Sequence, residues 1–108
     1  MTVRQISIEL GLESICMPDP DREVTGGYAG DLLSWVMGRA RSGDAWVTIM
    51  SNVNIVAVAT LADPACIILS EGVKADDEVV EKAQSMGVNI LSAKDDTFTV
   101  CAKIAGVI

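Results

Sequence analysis

Four short apolar runs recur along the chain, and each interval between them leaves room for a helix. They occupy residues 13–17, 45–50 (AWVTIM), 65–69 and 88–91. Parallel strands need a crossover of a dozen residues or more, so this alternation points to βαβ units and a parallel sheet. The connecting stretches carry helical patterns of their own. Residues 31–41 place Leu32, Leu33, Val36, Met37 and Ala40 on one face, and Gly43 stops them. Residues 52–63 are apolar nearly all round until Asp63-Pro64. Residues 75–86 form an amphipathic helix that buries Val79, Val80, Ala83 and Met86, with Asp76, Asp77 and Glu78 at its positive end. A last helix starts at Asp95 or Asp96 and is expected to bury Phe98, Cys101, Ile104 and Ala105. The expected fold is α/β: one domain over residues 1–108, a mostly parallel sheet of four strands, and helices on both faces.

Length and charge narrow the function. A chain of 108 residues makes one domain. It has 8 basic against 15 acidic side chains and a net charge of −7, which argues against nucleic acid, whose binding rests on Lys and Arg. The absence of histidine removes Ser-His-Asp and Cys-His catalysis and the common zinc sets. Cys16, Cys66 and Cys101 are odd in number and widely spaced, as for reduced structural thiols, and no metal or cofactor is expected. The run Met1-Thr2-Val3-Arg4-Gln5-Ile6 has no apolar stretch of signal-peptide length, and residues 45–62 are interrupted by Ser51, Asn52 and Asn54. A cytoplasmic protein without membrane association is expected.

Three features compete as sites. The segment from Gly38 to Asp44 has P-loop glycine spacing, but Asp44 stands where the lysine belongs and the segment follows a helix instead of a strand. It reads as a helix C-terminus. The loop Thr25-Gly26-Gly27-Tyr28-Ala29-Gly30 opens a helix and frees its backbone for a ligand; Arg22 is the cation beside it. The alternative is that Asp31 or Thr25 caps that helix and uses the same amides. Thr48, Ser51, Asn52 and Asn54 follow the AWVTIM strand, and Ser70-Glu71-Gly72 follows the next. Ligands of open parallel sheets bind beyond the carboxyl ends of strands, which brings these groups into consideration. The alternative is again an N-cap, from Ser51 or Asn52. The ligand candidates are therefore Arg22, Gly26, Gly27, Gly30, Asp31, Thr48, Ser51, Asn52, Asn54 and Glu71. Asp31, Glu71 and Asp77 are the only acid–base candidates, and they show no paired spacing, so no catalytic residue is assigned.

The all-round apolar helix needs a second cover. Either Val53, Val56, Ala57 and Thr60 or Ile55, Val58, Ala59 and Ala62 are expected to meet another subunit in a homodimer. Burial under an N- or C-terminal helix is the alternative. Trp35 and Trp46 read as packing residues.

The runs TGGYAGDLLSWVMG (residues 25–38), AWVTIMSNVN (45–54) and CIILSEG (66–72) resemble the DRTGG domain family, above all its short stand-alone members. The name-giving motif reads Asp21-Arg22-Glu23-Val24-Thr25-Gly26-Gly27 here, with two residues inserted. The resemblance implies a Rossmann-like fold similar to the N-terminal domain of HPr serine kinase. It also implies a regulatory or dimerising role, responsive to a small polar ligand or nucleotide, with a metabolic or redox enzyme as partner. Stand-alone members are labelled HPr-kinase-like or hydrogenase-associated, and a purely structural assembly domain is the alternative function.

Overall fold

The computed structural model describes residues 1–108. The chain runs α1 (Val3–Glu9), β1 (Glu13–Cys16), β2 (Gly26–Ala29), α2 (Leu33–Arg39), β3 (Asp44–Thr48), α3 (Asn54–Ala62), β4 (Cys66–Leu69), α4 (Asp77–Met86), β5 (Ile90–Ser92) and α5 (Thr97–Ala105). The sheet has five strands, not four, in the order β1-β5-β4-β3-β2. Strands β2 to β5 are parallel to their neighbours, and β1 runs antiparallel to β5. The added strand is β2, formed by the Gly-Gly-Tyr-Ala segment that reads as a loop in sequence. It has little strand propensity of its own; pairing with β3, from Gly26 against Asp44 to Ala29 against Val47, holds it.

Strand alternation divides the core in two. Trp46, Ile67, Leu69 and Ile90 face one side, where they pack with Val36 of α2, Ile55, Val56, Val58 and Ala59 of α3, and Val79 and Ala83 of α4. Ala45, Val47, Cys66, Ile68 and Leu91 face the other, under Val3 and Ile6 of α1 and Val100 and Ile104 of α5. The parallel strands follow one another in space in chain order, and all three crossovers lie on one face.

This arrangement corrects the expected interface. Ile55, Val56, Val58 and Ala59 are buried in the chain's own core, and Val53 is half-buried against it. Helix α3 lies between α2 and α4, so its second apolar side is covered from within the domain by these two helices and not by α1 or α5. What α3 leaves exposed is Asn54, Ala57, Thr60 and Leu61. A second correction concerns α5, which buries Val100 and Ile104 and leaves Phe98 83% exposed, Cys101 half-buried and Ala105 exposed. Both stripes have helical spacing. The one that faces the sheet is set by the helix start, where Asp96 caps the Thr99 amide at 2.7 Å.

Candidate functional site

The ten candidate residues separate onto opposite ends of the sheet. Arg22, Gly26 and Gly27 lie at the end where the parallel strands begin. Gly30, Asp31, Thr48, Ser51, Asn52, Asn54 and Glu71 lie where the strands finish.

At the finishing end the polar groups satisfy one another. Asp31 does not cap α2, whose N-cap is Leu32 without a side-chain bond. Its Oδ1 instead accepts the Thr48 hydroxyl at 2.7 Å and the Ile49 amide at 2.9 Å. Thr48 is buried, and its Oγ1 also accepts the Met50 amide at 3.2 Å. Gly30 donates its amide to Val47 at 3.1 Å and receives the Trp46 indole N–H on its carbonyl at 2.9 Å. Asn52 accepts the Asn54 amide at 2.9 Å, a local bond that turns the chain into α3.

Glu71 belongs to a separate group. The helix after β4 lies on one face and the helix after β5 on the other, so the connections diverge between these two strands. That divergence is where open α/β sheets usually form a ligand crevice. Here it is closed: Glu71 Oε2 accepts the Thr97 amide at the start of α5 at 2.8 Å, and the Ser70 and Thr97 hydroxyls share a hydrogen bond of 2.7 Å. A carboxylate of the chain thus holds the positive end of α5. Glu71 itself sits at φ 61°, a left-handed conformation that costs a non-glycine residue energy.

At the starting end, Arg22 is committed to Asp63. Its Nη1 and Nη2 each donate to the Asp63 carboxylate at 3.0 Å, and Nη2 reaches the Asp63 carbonyl at 3.1 Å. Ser42 donates to the same carboxylate at 2.6 Å. These hydrogen bonds, first Arg22 and then Ser42, hold the Asp63 carboxyl below the usual aspartate range. A lowered carboxylate pKa stabilises the fold fully above the unfolded value of about 3.9, and that contribution is lost as pH falls through the folded value. Because the pair is largely exposed, Asp63→Asn should cost no more than about 1 kcal/mol at neutral pH. Asparagine tolerates the φ of 59° at this position. The acid limb of a stability–pH curve should flatten in Asp63→Asn, and an unchanged limb would remove the pair from the acid response.

The glycines at this end answer to packing. A Cβ at Gly26 would stand 2.7 Å from Asp44 Oδ1, and one at Gly43, at φ 87°, would collide with Thr25 Oγ1. Gly27 is different, since a Cβ there meets only the Ala45 carbonyl at 3.6 Å and Ile104 Cγ2 at 4.0 Å, both ordinary contacts. Its own chain does not require that glycine.

Two clefts flank β2. An apolar groove of about 290 Å³ is lined by Gly27, Ala29, Val47, Cys101, Ala105 and Ile108 among others. A polar cleft of about 570 Å³ is lined by Thr25, Gly26, Gly27, Tyr28, Arg39, Arg41, Ser42 and Asp44. Arg39, Arg41 and Asp44 had read only as a helix end, because the cleft appears once residues 26–29 are known to be a strand. The cysteines fit neither cleft as reactive groups: burial pushes the Cys66 thiol up to about 12 and raises those of Cys16 and Cys101. No helix is long and apolar enough to cross a membrane.

Fold and site together define a small α/β domain whose polar loops are occupied by its own side chains and whose open surface lies along one edge strand. The chain belongs to the DRTGG domain family, whose model matches residues 30–107. The match begins at Gly30, so the Asp21-to-Gly27 run lies outside it. In structure the chain is similar to the CBS and DRTGG domains of the regulatory region of Clostridium perfringens pyrophosphatase, complexed with its activator diadenosine tetraphosphate. The TM-score is 0.72 at 17% identity, over 95% of this chain and 45% of that one. The chain therefore spans less than half the length of that neighbour. No curated protein matches it in sequence.

Proposed function

We propose that the domain is a non-catalytic, cytoplasmic regulatory module that self-associates along β2 and responds to a small anionic ligand of the nucleotide class. The observation that carries this reading is the bare outer edge of β2. An unpaired strand edge recruits other strands unless charge, proline or a bulge blocks it. The far edge of the sheet, β1, has such protection: its register breaks between Ser14 and Cys16, and Glu13 pairs with Lys74. Gly-Gly-Tyr-Ala has no charge, no proline and no bulge. Gly27, unneeded by its own chain, suits a position where another backbone approaches. Two copies paired antiparallel along β2 bring opposite ends of the strand together. The apolar groove and α5, with Cys101, Ala105 and Ile108, then extend the contact.

The committed acids support a role without catalysis. Asp31 and Glu71 each accept a backbone amide and hold the chain. Diadenosine tetraphosphate, the activator of the pyrophosphatase region, supports the sensing half. Light scattering should show a dimer that Ala105→Glu converts to a monomer with an unchanged circular-dichroism spectrum. A charge at Val56 should unfold the chain instead of dissociating it. A monomeric parent, or an Ala105→Glu dimer, would overturn the assigned edge.

A further inference from the structure

The polar cleft beside β2 has a charge environment unlike the rest of the surface. Of the 8 basic side chains, Arg4, Arg22, Lys74 and Lys103 are in ion pairs with carboxylates. Arg39, Arg41, Lys82 and Lys94 are not. Lys82 shares its cleft with Glu78 and Glu81, and Lys94 lies near Asp95 in a third cleft. Only Arg39 and Arg41 come together, so a protein of net charge −7 keeps two uncommitted guanidinium groups in one concavity.

Arg39 is held at its guanidinium and Arg41 at its backbone. The Arg39 guanidinium lies 3.7 Å from the ring centroid of Trp35, a cation–π contact that orients its fork. Asp44, 6% exposed, accepts the Arg41 amide on Oδ2 at 2.8 Å and so sets the turn from which Arg41 projects. Its Oδ1 lies toward Gly26, where a methyl group would collide with it.

We infer that this cleft binds a small phosphorylated metabolite, with Arg39 and Arg41 on the phosphate and the Asp44 carboxylate on a hydroxyl or amino group of the same molecule. Planar guanidinium groups hold phosphate oxygens in pairs, which a free ammonium does not. The Asp44 carboxylate sets a second requirement, because it repels a bare anion and favours one that carries a hydrogen-bond donor. The cleft volume of about 570 Å³ lies in the range of small-molecule sites. Gly26, Gly27 and Tyr28 line both this cleft and the edge of β2, so occupancy bears directly on self-association. The inference deepens the sensing half of the proposed function and rests on that reading.

Calorimetric titration with inorganic pyrophosphate, ADP and adenosine tests it. ADP should bind, pyrophosphate should bind more weakly because it offers Asp44 no comparable donor, and adenosine should not bind. Arg39→Ala and Arg41→Ala should each weaken ADP binding by about tenfold or more, while Lys94→Ala leaves it unchanged. Affinity should fall as salt is raised. Both arginine variants should melt like the parent, since neither side chain is part of the core. Absence of ADP binding at millimolar concentration, or equal binding by the arginine variants, would overturn the inference. Light scattering on the ligand-free protein separates the two failures: a dimer that binds no ADP rejects the cleft and leaves the β2 edge standing, whereas a monomer rejects the edge.

Discussion

Replacing Trp46 by alanine is expected to lower stability by about 3–5 kcal/mol, the range for removing a large buried aromatic side chain. Small domains have total stabilities of roughly 5–15 kcal/mol, so this one change removes much of the margin. Trp46 is wholly buried in the middle of β3, on the face covered by three helices. It also donates its indole N–H to the Gly30 carbonyl at 2.9 Å, tying the end of β2 to the neighbouring strand β3. Two losses therefore coincide, a cavity under α3 and an unbonded carbonyl at the edge strand. Trp46→Phe restores most of the volume but not the donor and should cost about 1–2 kcal/mol, close to the value of one hydrogen bond plus a small void. Urea denaturation followed by circular dichroism checks both. A loss below about 1 kcal/mol for Trp46→Ala would mean that the three-helix face of the sheet does not depend on this side chain.

The second large effect is expected at Asn89, 2% exposed just before β5. Its Nδ2 donates to the carbonyls of Asp19 at 2.7 Å and Ala65 at 2.9 Å, and its Oδ1 accepts the Asp19 amide at 2.9 Å. One side chain thus stitches the turn after β1 to the entry of β4. Asn89→Ala leaves those backbone groups without partners, at about 1–3 kcal/mol for a buried unsatisfied group, and should destabilise the fold by about 2–4 kcal/mol in all. Asn89→Asp keeps the acceptor but faces two carbonyl oxygens with a charge. Burial raises the pKa of the introduced carboxyl. Stability of this variant should be greatest at low pH and fall as pH rises through that raised value. A pH-independent Asn89→Asp variant would show that water enters the site.

Legibility in the sequence followed how far each element depends on its own residues. Helix α4 was readable because its signals are local: Asp76 caps the Val79 amide at 3.1 Å and Gly87 ends it at φ 73°. Strands β3 and β4 were readable because covering on both faces demands uninterrupted apolar runs. Strand β2 was not, since its form comes from β3. Helix α1 escaped notice because seven residues give little periodicity; a capping box between Thr2 and Gln5 and the burial of Val3 and Ile6 hold it. The apolar surplus of α3 is plain in its residues, but a sequence cannot distinguish two neighbouring helices from a second subunit.

The candidate site was legible as residue types and not as a place. Asp31, Thr48 and Gly30 do gather at one end of the sheet, around Ile49 and Trp46. Arg22, Gly26 and Gly27 gather at the other, a separation set by the direction of β2. Arg39 and Arg41 lie within the rejected P-loop-like segment, which gives them no role; their significance lies in the absence of carboxylate partners, which only coordinates reveal.

Glu71 can be regarded as a tethered ligand. Its carboxylate occupies the amide end of α5, as a free anion would, but it is held there by the chain. A short tether gives an effective concentration in the millimolar range or above, so a free anion of equal affinity at micromolar levels competes poorly with it. The usual binding crevice of an open α/β sheet thus holds a carboxylate that the chain itself supplies.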